Sequence, residues 1–484
     1  MDKKVIIDST KWSVVSEFLS KLASPLANIF LARLLAPEVF GLVTSFTMVT
    51  AFAEIFTDSG FQKYIVQHEF EDEEELEKNI NVAFIVNFIF SILIWLVIFL
   101  TRHVIGRVIG CEGYGNEIAV ISLLIPLKGL SSIQNALFQR QFMFKQLAPI
   151  RFITSLIPVV VTIPLAVFFR NVWALIIGNL VKEVVMATLL TVKSTWKPKL
   201  FFRLKYLKMM FSECMWLMID SLLIWVTAYA SVFIVNHMFD AYYTGLYKTG
   251  VNTIQPYISL LYMIIHPVLF AALSRLQNDV SERNKVFYDY QRYVSYVIIP
   301  VGACVFVYGD LVTLFLLGKN WKECILLISL TGLISPINML IGQFNSVFFR
   351  AAGKPRIAAM VQGVYCCFLV AILIWAANYD FTVLSIVGGT VNILYCVISS
   401  VALTKCSNIN VLTVMKNIMP AFVSSSVMII VVLFIRRVFP KFFISQLITV
   451  FFAIVIYITV LYIFREPRQL IKSFLRGRKK SEYS

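Results

Sequence analysis

An all-α polytopic membrane protein is the fold class this 484-residue chain predicts, and three observations predict it. Some fourteen apolar stretches of about 20 residues fill the sequence, each long enough to cross a hydrocarbon core of about 30 Å at about 1.5 Å per residue. Composition leaves little for a separate soluble domain: 59% of residues are hydrophobic, 14% are charged, and the mean hydropathy is +0.80. The basic residues between the stretches sit overwhelmingly on alternate connections.

The expected spans are 12–34, 39–66, 79–101, 117–138, 146–169, 171–192, 211–238, 241–271, 288–309, 321–349, 356–377, 381–404, 411–435 and 442–464. Glu17 and Lys21 interrupt the first, which runs straight into the second, so no cleavable signal peptide is expected. The acidic run Glu69 to Glu77 reads as a solvated cap that ends at Lys78-Asn79, before the third span, or as a docking point for a basic partner. Lys193, Lys197, Lys199, Arg203, Lys205 and Lys208 fill the connection after the sixth span, and Arg476 to Lys480 lie in the tail. Cytoplasmic loops are enriched in Lys and Arg, so both termini are expected in the cytoplasm. The net charge of +16 then reads as topology signals and anchors for anionic lipid, with no nucleic-acid partner.

An internal repeat divides the chain. Asn135-Ala-Leu-Phe-Gln-Arg140 near the end of the fourth span is echoed by Asn345-Ser-Val-Phe-Phe-Arg350 near the end of the tenth. Leu35-Ala-Pro-Glu-Val-Phe-Gly41-Leu42 is echoed by Phe239-Asp-Ala-Tyr-Tyr-Thr-Gly245-Leu246. Six spans per repeat is an even number, so the halves enter the membrane with one polarity. The expected architecture is two parallel six-helix lobes, 1–200 and 201–407, around a central cavity with a substrate site near the midplane. Residues 408–484 add two further helices and a basic cytoplasmic tail.

The run Leu31-Ala-Arg-Leu-Leu-Ala-Pro-Glu-Val-Phe-Gly-Leu-Val43, with Asp58-Ser-Gly-Phe61 and Gln139-Arg-Gln-Phe-Met-Phe-Lys145, resembles the polysaccharide transporter family of the MOP superfamily. The resemblance is clearest in the first half and extends along the chain as topology. It implies a flippase, not an enzyme, that moves undecaprenyl-pyrophosphate-linked oligosaccharide across the bacterial cytoplasmic membrane for O-antigen, capsule or other exopolysaccharide. A polysaccharide polymerase and assembly proteins are the candidate protein partners.

Ionisable residues deep in spans carry the site expectation, because a central charge costs about 2.5–3.5 kcal/mol on insertion scales and so faces a polar cavity. Counted along their own helices, Lys21, Lys128, Asp220 and Lys248 lie deepest; Glu17, Glu54, Asp58, Lys63, Lys182, Glu183 and Glu213 lie nearer an interface. A cation-rich cavity suits a pyrophosphate, and Lys21, Lys128 and Lys248 are the candidate substrate ligands. Against this, Glu17 with Lys21 and Asp220 with Lys248 form plausible structural pairs. Glu54 and Asp58, four residues apart, and Asp220 are the candidate ion-coupling carboxylates for H⁺ or Na⁺, although Asp58 beside Lys63 also reads as a helix-end contact. Arg140 and Arg350 read as a cytoplasmic gate or as simple positive-inside anchors, and Arg33 as a headgroup anchor. Trp216, Trp225 and Tyr229 are candidate sugar-stacking rings among aromatics that mostly pack or face lipid.

The four His are scattered, the eight Cys lie mostly in spans, and neither a metal-ligand cluster nor a P-loop is present, so no metal, cofactor or catalytic residue is expected. Two other readings remain. An ion-coupled multidrug exporter of the same superfamily predicts anion-dominated midplane charge, and a membrane polymerase or glycosyltransferase predicts a large catalytic outer loop.

Overall fold

The computed structural model describes residues 25–57, 61–141, 143–276, 279–407, 409–438, 443–464 and 467–468, and among them there is no strand. Helices α1 (Pro25–Leu34), α2 (Pro37–Thr57), α3 (Phe61–Gln67), α4 (Glu73–Val108), α5 (Gly115–Ile121) and α6 (Leu124–Arg140) come first. A π-helical turn, Pro158–Thr162, joins α7 (Phe144–Ile157) to α8 (Ile163–Phe169); α9 (Val172–Lys193), α10 (Leu204–Met238) and α11 (Ala241–Arg275) follow. Beyond them lie α12 (Val280–Val307), α13 (Gly309–Leu316), a 3₁₀ segment Lys319–Cys324, and α14 (Ile325–Ile337), which a π turn at Asn338–Gln343 joins to α15 (Phe344–Ala351). The last are α16 (Pro355–Ala377), α17 (Phe381–Thr390), α18 (Asn392–Cys406), α19 (Val411–Val438) and α20 (Phe443–Ile463).

Eleven of these helical stretches are long and apolar enough to cross a membrane, or up to twelve with the bent α11 counted as one span. Of the expected first span the described residues hold the helix Pro25–Leu34, residues 12–24 lying outside them, and α20 matches the expected last span; the expected count of fourteen is not reached among the described residues. The expected second span is divided between α2 and α3. The acidic run divides at Asp72, the N-cap of α4, which accepts the Glu75 N–H at 2.6 Å: Glu69 and Glu71 lie exposed before the helix, and Glu73, Glu74 and Glu75 occupy its first turn. Carboxylates there face the positive end of the helix dipole, which extends α4 to 36 residues. The π turn before Pro164 has an equally local cause, since that ring cannot donate to the carbonyl four residues back.

The chain divides into two compact units. The first comprises residues 1–256, 314–323 and 369–383. Its core gathers Phe46, Ile118, Ile125, Ile176 and Val232 from α2, α5, α6, α9 and α10. Polar and small residues bring helices close where apolar bulk would not: Asn87 donates to Ser132 at 2.8 Å, and Gly178 packs on Thr162 so tightly that a Cβ there would meet its hydroxyl at 2.0 Å. Trp321, fully buried, donates to the Ala32 carbonyl at 2.8 Å. Arg33 donates to the Phe315 carbonyl and so is tied to protein backbone rather than left for a headgroup alone.

The two glycines of the second sequence echo meet in this unit. A Cβ on Gly41 would lie 1.8 Å from the Ala241 carbonyl oxygen, and one on Gly245 would lie 1.8 Å from that of Pro37. Pro37 and Ala241 are themselves equivalent in the echo, so α2 and α11 cross by a self-complementary contact, the kind a two-fold relation produces.

The second unit comprises residues 257–313, 324–368 and 384–484. There α19 and α20 pack on α12 through Ala303, Val307, Met428, Val432 and Ala453. Tyr308 donates to the Thr449 hydroxyl at 2.9 Å, Tyr457 donates to the Tyr296 carbonyl at 2.8 Å, and Arg436 reaches Asp310 at 2.7 Å.

Candidate functional site

Charged side chains of α2, α6 and α9 come together in the first unit, and the Tyr229 ring of α10 links them to Lys248 of α11. Lys128 on α6 donates to Glu54 on α2 at 2.6 Å, across 74 residues of sequence. On α9, Glu183 lies within electrostatic reach of Lys128, Lys182 and Glu54, and Ser131 approaches it at 3.5 Å. On α10, Tyr229 is held near Thr47 and within reach of the same Glu54 and Lys128 charges. On α11, Lys248 donates to the Ala228 carbonyl at 2.9 Å and lies 4.9 Å from the centre of the Tyr229 ring. Trp225, one turn back on α10, donates to the Met48 carbonyl at 3.1 Å and packs against Phe52 and Tyr229.

Each contact has the same cause. An ammonium in apolar surroundings is costly, so each takes the counter-charge, carbonyl or ring face within its reach. The glycine crossing of α2 and α11 places Lys248 three residues past Gly245, on the same helical face. Lys128 and Glu54 keep 33% and 22% of their side-chain surface, so the pair is open to a ligand rather than sealed in the core.

The sequence-predicted site is therefore joined in part and corrected in part. Lys128 and Lys248 do share a neighbourhood, through Tyr229. Glu54 and Glu183, which the sequence placed nearer an interface, lie within reach of Lys128 here. Depth counted along each separate helix hid this, because it does not show which helices face one another. Lys248 takes a carbonyl and a ring, while the side chain of Asp220, its expected partner, lies outside the described residues, as do Lys21, Glu17 and Asp58. Arg140 donates to the carbonyls of Ile65 and His68, each at 2.7 Å, and covers the Phe70 ring, so it caps the end of α3. Arg350, its counterpart in the other echo, is exposed in the second unit near Tyr262, His266 and Tyr395. The two arginines thus have different surroundings. Among the described residues no His, Cys, Asp and Glu cluster fits a metal ion. Lys182 and Glu183 entered the site without a sequence signal beyond their presence inside a span.

The described residues form a multi-span helical bundle of a membrane protein, with the ionised groups of Lys128, Glu54, Lys182 and Glu183 gathered in its first unit. Residues 30–326 match the family described as polysaccharide biosynthesis protein, and the chain belongs to that family. It is 23% identical over 398 residues to an uncharacterized membrane protein in the cps region of Klebsiella pneumoniae, covering 81% of this chain and 79% of that one. It is also 23% identical to the lipopolysaccharide biosynthesis protein WzxC of Escherichia coli K12, over 69% of this chain and 68% of that one. The succinoglycan biosynthesis transport protein ExoT of Rhizobium meliloti is 21% identical over 72% and 70% of the two chains. Among solved structures, the lipid II flippase MurJ in an inward closed conformation superposes with a TM-score of 0.74 at 14% identity, over 95% of this chain and 99% of MurJ. An inward-facing multidrug MATE transporter of the MOP superfamily gives 0.60 at 13% identity, over 80% and 96%.

Proposed function

We propose that this protein translocates polyprenyl-pyrophosphate-linked oligosaccharide across the bacterial cytoplasmic membrane by alternating access, for O-antigen, capsule or another exopolysaccharide. Both termini face the cytoplasm in this reading, as the placement of Lys and Arg favours. The observation that carries it is the half-open Lys128–Glu54 pair, whose charges reach the Tyr229 ring on which Lys248 also lies. A pyrophosphate competes with Glu54 for the Lys128 ammonium, and Lys248 adds a second point charge. Glu54, once released, is a carboxylate left without its cation, and uptake of H⁺ or Na⁺ there would couple the gradient to substrate binding. Lys21 completes the proposed ligand set, and Asp58 and Asp220 the coupling set. Exposed Arg350 remains the gate candidate, whereas Arg140 acts as a helix cap.

The two carboxylates in the cluster and the likeness to MATE transporters favour a second reading, ion-coupled export of organic cations. The experiment that separates the two is complementation of a strain lacking its polysaccharide flippase. Surface glycan restored by the wild-type gene supports the first reading; no glycan, with a raised tolerance to cationic drugs, supports the second.

A further inference from the structure

Residues 194–203 run from the end of α9 to the start of α10 without regular structure, yet this strap is fastened to the first unit along its length. Trp196 packs edge-on against Phe84 of α4, and Phe201 and Tyr206 pack on the core of Ile80, Ala83 and Leu137. Lys199 donates from its backbone to Asn81 at 2.8 Å and from its ammonium to Glu77 at 2.5 Å. Between these anchors apolar side chains turn outward: Leu200 is fully exposed, and Phe202 and Leu204 are more than half exposed. Lys193, Lys197, Lys205 and Lys208, with Arg203 against the Phe201 ring, flank them along the chain and are exposed as well. The depth of the strap follows from α4. Exposed acidic residues of that helix end at Glu74 and its exposed apolar run begins at Ile89 and Phe90, so positions 77, 81 and 84, where the strap is fastened, fall between water and hydrocarbon.

We infer that the strap is an interfacial anchor for anionic phospholipid, an inference that rests on the cytoplasmic placement of this connection and not on the substrate. Leu200, Phe202 and Leu204 enter the acyl edge of the cytoplasmic leaflet, and the lysines and Arg203 gather anionic headgroups around them. Apolar side chains interleaved with Lys and Arg hold a segment in the plane of an anionic membrane, the apolar area setting depth and the charge setting lipid preference. Near such a surface each Lys or Arg contributes about a fivefold gain in attraction. Facing water instead, the strap would leave three large apolar side chains bare within five residues, at the level where the bilayer is the nearest apolar medium. Its fastening to α4 matters as well. A segment already held in place loses little freedom when the leaflet covers it. Charge complementarity selects anionic over zwitterionic phospholipid as the partner.

Hydrogen–deuterium exchange on the full chain tests this, in nanodiscs of phosphatidylcholine alone and of an equal mixture with phosphatidylglycerol. The strap lacks regular structure, so its amide exchange reports covering by lipid. Peptides holding residues 195–204 are expected to exchange about tenfold more slowly in the anionic nanodiscs, and high salt should erase most of that difference. Replacing Lys193, Lys205 and Lys208 together by Gln should remove the lipid dependence, and Leu200→Ser with Phe202→Ser should remove the slowing itself. The wild-type comparison needs neither variant, should one fail to purify. Equal exchange of the wild-type strap in the two nanodiscs would overturn the inference, as would an equal lipid effect on the connection at residues 109–114. Slowing that appears only after a cytoplasmic protein fraction is added would also overturn it and make the strap a protein-docking surface. Glycan-lipid translocation is read separately on the same protein. Translocation without the lipid effect sinks the strap alone; the lipid effect without translocation sinks the flippase reading alone.

Discussion

Removing Lys128 separates a substrate contact from a structural ion pair. Its bond to Glu54 is 2.6 Å long, with side chains 33% and 22% exposed. That places it between an exposed pair, worth about 0–1 kcal/mol, and a buried pair whose breakage costs about 3–5 kcal/mol. Lys128→Ala should therefore destabilise the protein by about 2 kcal/mol, much of it from leaving Glu54 uncompensated. Adding Glu54→Ala should recover most of that loss, giving a coupling within the range of about 0.5–3 kcal/mol seen for contacting residues. Export should behave differently. Lys128→Ala is expected to abolish surface glycan at unchanged membrane abundance, and the double variant should recover stability without export. Lys128→Arg should rescue only in part, because a planar guanidinium does not reproduce a compact ammonium. The charge-reversed pair Lys128→Glu with Glu54→Lys should fold yet not export. The assays are fluorescence-detected size exclusion after heating and surface-glycan quantification in the complemented strain. Normal export by Lys128→Ala, or by the reversed pair, would refute the reasoning and make the pair structural.

Other elements give independent tests. Gly41→Val and Gly245→Val should each force α2 and α11 apart, since a Cβ at either position meets a carbonyl oxygen at 1.8 Å; loss of the monodisperse peak at or below wild-type melting temperature is expected, and normal stability would show that the crossing yields. Arg170, at φ 49°, is the described non-glycine residue in the left-handed region, so Arg170→Gly should stabilise by about 1 kcal/mol, read as a raised melting temperature; a lowered one would count against strain there. Reporter fusions after Thr404 and after Arg465 should both read cytoplasmic, and an outer signal at either would break the topology on which the parallel repeat rests.

The parts of the fold governed by length and apolar content were legible. Most expected spans fall within a few residues of helices such as α9 and α19, because bilayer thickness dictates both. What failed depended on short-range capping or on who faces whom. Asp72 caps α4 and three glutamates fill its first turn, so the helix begins inside the acidic run, a boundary set by local capping rather than by apolar content. Two faint echoes carried the expected repeat, and the glycines of one proved to be contact residues because small side chains are what a close crossing demands. Lys128 and Lys248 stood out in the sequence as deep cations, but their contacts with Glu54, the Ala228 carbonyl and the Tyr229 ring depend on helix packing that sequence spacing does not encode.

Reconstitution addresses the central claim most directly. Purified protein in liposomes carrying an undecaprenyl-pyrophosphate-linked oligosaccharide in one leaflet should move that lipid to the other, read as glycan made accessible to an external glycosidase. Wild type should exceed protein-free liposomes, and Lys128→Ala should fall to the protein-free rate while retaining a folded size-exclusion profile. A wild-type rate equal to that of protein-free liposomes, or a Lys128→Ala rate equal to wild type, would contradict the account.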